Sequence, residues 1–133
     1  MTNPAPPASH PREIRLSLSA RRTLVTAEAL AWSALVRLLL ATRASEGALR
    51  ALDSLPRRAP RADPVPLPAE GPFRLAGACL GRSLARSQYL RTRGRPHVLV
   101  FGVRGGAAAF GAHAWLEGDP VDPAFLPLRR VPR

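Results

Sequence analysis

Fifteen prolines decide how much of this chain can become regular structure, because they are bunched rather than spread. Four fall within the first eleven residues and six lie from Pro56 to Pro72. A proline breaks a helix interior and cannot donate to a sheet ladder. The 133 residues therefore divide into a disordered or extended N-terminus (1–22), a helical part (23–56), a proline-rich linker (57–72) and a second unit (73–133). With the first dozen residues, the linker and the end beyond Pro123 set aside, roughly 85 to 90 residues remain for one small core, near the lower limit of independent stability.

All 20 basic residues are arginine, a bias that fits GC-rich coding as well as function. The net charge of +11 favours an acidic partner, whether nucleic acid, a membrane surface or a peptide. Aromatic residues make up 5%, too few for a base-stacking platform, which argues against nucleic acid. One cysteine excludes an internal disulfide framework, and the start lacks the basic-then-apolar order of a secretion signal, so a cytoplasmic location is expected. Leu24 to Ala41 is about one membrane span long, but Glu28 and Arg37 inside it argue against stable insertion.

Thr23 is a candidate N-cap for a helix to about Arg43, with Leu24, Ala27, Ala31, Leu35, Leu38 and Thr42 on one stripe. The helix would either be a packing element or expose Trp32 and Leu39 as a partner-docking surface. A short second helix through Glu46 to Leu55 stops at Pro56. From Ala76 the spacing of Leu80, Leu84, Ser87 and Leu90 predicts a helix that ends at Gly94 and carries Cys79 in its first turn. HVLVFGV then reads as a buried strand, Arg104-Gly105-Gly106 as a turn, and FGAHAWLE as a second strand. On that strand Gly111, His113, Trp115 and Glu117 share one face. A reversal at Gly118-Asp119 and a short third strand, Pro120 to Asp122, complete an α+β domain: a cysteine-bearing helix on a small antiparallel sheet.

A thiol becomes a nucleophile when ionised, and a helix's first turn offers a positive dipole end and unpaired N–H groups. Cys79 has that position, although a lone cysteine is also common core filler. His113, mid-strand between Ala112 and Ala114, leaves room for a second element to approach the imidazole; a plain sheet-surface histidine is the alternative. If the turn is centred on Gly118-Asp119, Trp115 opposes Asp122, and the Asp122 carboxylate lies diagonally across from His113, within reach of its ring. Asp119 is second choice, because one residue of slip reverses the faces.

The stretches ACLGRSLARSQYLRTRGRPHVLVFGVRG and AFGAHAWLEGD resemble the leader peptidases of lasso-peptide biosynthesis, the microcin-processing B proteins. Their pattern runs Cys-Leu-x-Arg-Ser/Ala-Leu, Leu-x-x-Arg-Gly, Leu-Val-x-Gly-Val and Ala-His-Ala-Trp-Val-Glu. Matches include Cys79, Leu80, Arg82, Leu84, Arg93, Gly94, Gly102, Arg104, His113, Trp115 and Glu117. The resemblance implies a papain-like or transglutaminase-like fold with a Cys, His, Asp triad that hydrolyses one peptide bond, between leader and core. It maps Cys79 to the nucleophile and His113 to the base. The family usually has a longer stretch between Glu117 and the triad aspartate than the four residues that precede Asp122 here.

The family has a form fused to a winged-helix recognition domain and a split form. Such a domain needs about 80 residues, more than the segment before Ala76 offers once its prolines are removed. The chain thus resembles the split form. Its expected partners are the precursor peptide, a separate leader-recognition protein and a macrolactam cyclase related to asparagine synthetase. No residue cluster suggests a metal or organic cofactor. Two rivals stand beside this reading: an acyl-transferring enzyme in which an amine resolves the same thioester, and a basic binding module without activity.

Overall fold

The computed structural model describes residues 18–57, 68, 70–106 and 110–133. Most of the expected N-terminal extension and most of the linker lie outside the described residues. Three helices, α1 (Leu18–Thr42), α2 (Ser45–Asp53) and α3 (Cys79–Thr92), precede a sheet of β1 (Val98–Arg104), β2 (Gly111–Leu116) and β3 (Leu126–Pro132). A 3-10 turn, Gly71–Ala76, leads into α3.

Helix α1 begins before Thr23, so that residue is not its cap. The Thr23 hydroxyl instead donates to the Ser19 carbonyl within the helix, at 3.0 Å. The buried stripe is Ala29, Ser33 and Val36. Small residues there let the 3-10 turn come close, and the Ser33 hydroxyl lies 2.8 Å from the Ala29 carbonyl and 3.1 Å from the Pro72 carbonyl. Trp32 and Leu39 do not form an exposed dock; both pack against the core, and the exposed leucines are Leu18, Leu24, Leu30 and Leu38. By length and apolarity α1 could cross a membrane, yet here Glu28 holds Arg93 through two hydrogen bonds of 2.9 and 2.7 Å.

Helix α3 is the centre of the molecule. It packs between α1 and the sheet, so most of its residues are buried on every side: Leu84, Ala85, Tyr89 and Leu90, but also Ser83, Ser87, Gln88 and Arg91. Burying each large apolar side chain stabilises by about 1.5–3 kcal/mol. Each of the polar ones makes at least one side-chain hydrogen bond, although Gln88 Nε2 and Arg91 Nε have no partner among the described residues. Arg91 donates to the carbonyls of Leu52, Asp53 and Leu55 at 2.6 to 3.0 Å, closing the C-terminus of α2. The start of α3 is set by Gly81, where a Cβ would stand 2.0 Å from the Ala76 carbonyl oxygen; the 3-10 turn crosses the first turn of α3 through that gap.

The sheet is antiparallel in the order β2-β1-β3. The expected hairpin of β1 and β2 forms, with Gly102 opposite His113 and Val100 opposite Trp115. The expected third strand does not. Pro120 to Asp122 carry no strand; the chain crosses to the far side of β1 and forms β3 there, with Val131 against the core. The segment beyond Pro123 therefore does join the fold, because β1 still had an unpaired edge to satisfy.

Candidate active site

Cys79 is the first residue of α3 and is partly exposed. Ala78 before it is extended and supplies no side-chain cap, so the N–H groups of the first turn have no side chain bonded to them. The Cys79 Sγ lies 3.9 Å from the carbonyl oxygen of Ala112, which a thiol can approach as a weak donor. One turn further along α3, the Ser83 hydroxyl donates to the Ala114 carbonyl at 2.7 Å. These two contacts run along the edge of β2 and bracket His113.

His113 projects from the face of β2 shared with Gly111 and Trp115. Its ring lies 5.8 Å from the Trp115 ring at 22°, and 5.0 Å from the Phe125 ring at 36°. Trp115 reaches this position by lying across Gly102. A Cβ at residue 102 would meet the indole at 2.6 Å and the Leu126 carbonyl oxygen at 2.7 Å. Phe125 lies over Gly111 and is faced by the Arg104 guanidinium, 5.1 Å from its centre.

Asp122 stands in the same cluster but not where the hairpin register puts it. It is opposite no residue of β2, since the chain after β2 crosses to the far side of β1. Its carboxylate accepts from Arg104 at 3.3 Å and from the Ala124 N–H at 2.9 Å, and no hydrogen bond joins it to His113 among the described residues. Asp119 has a different task. It accepts from both terminal nitrogens of Arg86, at 2.6 and 3.0 Å, and from the Leu116 N–H at 3.1 Å, so it locks the turn after β2 onto α3. Glu117 pairs with Arg130.

A histidine–hydroxyl pair lies along α3, two turns beyond Cys79. Ser87 Oγ and His97 Nε2 are 2.7 Å apart, and His97 Nδ1 donates to the Arg95 carbonyl at 2.9 Å, which leaves Nε2 as the acceptor. Ser87 also accepts from Arg133 at 2.9 Å. Burial holds the His97 pKa below its ordinary value, the Arg95 hydrogen bond opposing and the charges of Arg133, Arg57 and Arg91 adding to it. This network ties β3 and the start of β1 to α3 and α2, and Asp53 closes it by accepting from Arg133.

Beside Cys79, a groove between the end of α1, the start of α2 and the first turn of α3 is lined by Arg37, Leu40, Arg43, Ala78, Leu80 and Gly81. Among the described residues no three His, Cys, Asp or Glu side chains converge as a metal site would require. Phe125, Ser83 and Arg104 are members of the site that residue types alone did not single out. Phe125 lies between prolines in a segment that reads as lying outside the core.

A helix opening with a cysteine, packed along a strand that carries a histidine, is an arrangement suited to thiol-based acyl chemistry. Consistent with that class, a family model for the transglutaminase-like superfamily matches residues 13–124, and the chain belongs to this superfamily. The superfamily is generally one of cysteine-based catalysts and includes both cysteine peptidases and acyltransferases. No curated protein and no solved structure matches the chain.

Proposed function

We propose that this chain is a cytoplasmic cysteine peptidase that removes the leader from a lasso-peptide precursor, working with a separate leader-recognition protein and a macrolactam cyclase. The observation that supports it most is the contact of the Cys79 thiol with the carbonyl of Ala112, the residue before His113. The motif resemblance around both residues narrows thiol chemistry to leader removal.

In this reading His113 takes the Cys79 proton and the thiolate attacks the carbonyl at the end of the leader. The uncapped N–H groups at the start of α3 hold the oxyanion, a contribution of the kind that lowers a barrier by about 3–4 kcal/mol. His113 then protonates the departing amine, and water, deprotonated by the same imidazole, hydrolyses the thioester. Asp122 is the third member: its negative charge, in one cluster with Arg104, Phe125 and His113, steadies the imidazolium. The groove lined by Arg37 and Arg43 suits a peptide with acidic residues.

The test is mass spectrometry of a purified precursor incubated with the chain, with and without the recognition protein. Free leader and core are expected, faster with the recognition protein because tethering raises local concentration to roughly millimolar, and lost in Cys79→Ala and His113→Ala with the fold intact by circular dichroism. Cleavage at the normal rate by Cys79→Ala overturns the peptidase reading. Leader coupled to an amine in place of a free carboxylate converts it to acyl transfer.

A further inference from the structure

We propose that Phe125 is a positioning residue for the imidazole of His113, an assignment that rests on His113 serving the Cys79 thiol. Among the described residues the His113 ring makes no hydrogen bond that would hold its orientation. Two aromatic rings lie beside it: Trp115 at 5.8 Å and Phe125 at 5.0 Å between ring centres. Trp115 comes from β2 itself. Phe125 is brought from a separate segment, and the chain spends local structure on bringing it there.

Residues 122–125 form a β-turn in which the Phe125 N–H donates to the Asp122 carbonyl at 3.0 Å. Proline at the second position and aspartate at the first are the residues such a turn prefers. The Asp122 carboxylate braces the turn from inside through the Ala124 N–H, and Arg104 braces it from β1 by pairing with Asp122 while its guanidinium lies 5.1 Å from the centre of the Phe125 ring. Gly111, two residues before His113 on the same face, leaves the sheet surface bare where the Phe125 ring rests. A ring in that place limits the rotation of the imidazole and presents a π surface to it when it becomes a cation.

The consequence is that truncating Phe125 loosens His113 without touching substrate contacts. Phe125→Leu is expected to lower kcat for precursor cleavage about three- to tenfold with KM unchanged, and Phe125→Tyr to restore it. Two further readouts need no precursor. In NMR spectra the ring protons of His113 lose an upfield ring-current shift in Phe125→Leu and keep it in Phe125→Tyr. Alkylation of Cys79 by iodoacetamide at neutral pH slows in the leucine variant by a factor similar to that in kcat.

Unchanged His113 shifts and unchanged alkylation in a folded Phe125→Leu overturn the proposal, as does failure of Phe125→Tyr to rescue. If wild-type chain never cleaves the precursor while the leucine variant still moves the His113 signals and slows alkylation, the positioning role stands and the peptidase reading falls.

Discussion

The hydroxyl of Ser83 donates to the carbonyl of Ala114 across 2.7 Å, a buried bond that ties α3 directly to the strand that carries His113. Ser83 is buried, so the carbonyl has no water to turn to when the hydroxyl is removed. Ser83→Ala should cost about 1 kcal/mol in urea unfolding and, on the proposed pairing of Cys79 with His113, slow alkylation of Cys79. Retention of the full alkylation rate would mean that α3 is held against that strand by other contacts.

The two candidate acids separate cleanly by experiment. Asp119→Asn breaks a two-bond pair with Arg86, whose side chain is 14% exposed, and leaves that charge largely enclosed. A loss of roughly 1–3 kcal/mol in stability is expected, with the rate per folded molecule preserved. Asp122→Asn keeps an oxygen for the Ala124 N–H but removes the negative charge. It should leave the melting temperature nearly unchanged and slow cleavage by at least about tenfold. The opposite pattern would move the third role to Asp119.

Gly102→Ala tests the platform on which Trp115 lies. The new methyl group meets both the indole and the Leu126 carbonyl oxygen inside 3 Å, and the latter is backbone paired into the sheet. We expect a loss of about 1–3 kcal/mol together with a red-shifted tryptophan emission as the indole is pushed toward water. An unshifted spectrum with normal stability would show that β3 moves instead.

His97 supplies a pH dependence distinct from that of the Cys79 site. Its pKa is lowered in the folded chain below the ordinary 6.5, chiefly by burial. At pH above that ordinary value both folded and unfolded chains carry it neutral. As pH falls through it the unfolded chain binds the proton first, so stability declines on acidification and levels off only below the folded pKa. Between about pH 7.5 and about pH 5 the wild type should lose more thermal stability than His97→Gln does. Equal losses would place the sensitivity elsewhere.

Helix α3 and the hairpin of β1 and β2 were legible because local signals agree there: leucines at helical spacing closed by Gly94, then an apolar run, a glycine turn and strict alternation around His113. The placement of Cys79 at the start of α3 and of His113 within β2 followed from those elements. The placement of Asp122 did not, because it depends on which side of β1 receives the next strand, and nothing local in Pro120 to Asp122 says so. Strand β3 itself, LPLRRVP, is exposed along most of its length, so it carries no alternation to read. The network of Ser87, His97, Arg91 and Arg133 was equally hidden. Charged residues read as surface until tertiary partners from α2 and β3 enclose them.

Strand β3 ends the sheet, and among the described residues no strand lies along its outer side. An open edge invites other copies to add on, the first step of fibre growth. Here Pro127 and Pro132 lack the N–H that an incoming strand would use, and the chain's net charge of +11 repels a second copy. The prolines act under all conditions, whereas the net charge acts only as far as its field carries, about 8 Å at physiological ionic strength and about 3 Å at 1 M salt. Leu126 and Leu128, 65% and 70% exposed, are the rungs that remain once that field is quenched. The expected colloidal behaviour is therefore salt-dependent: molecules held apart in dilute buffer should associate through β3 in concentrated salt.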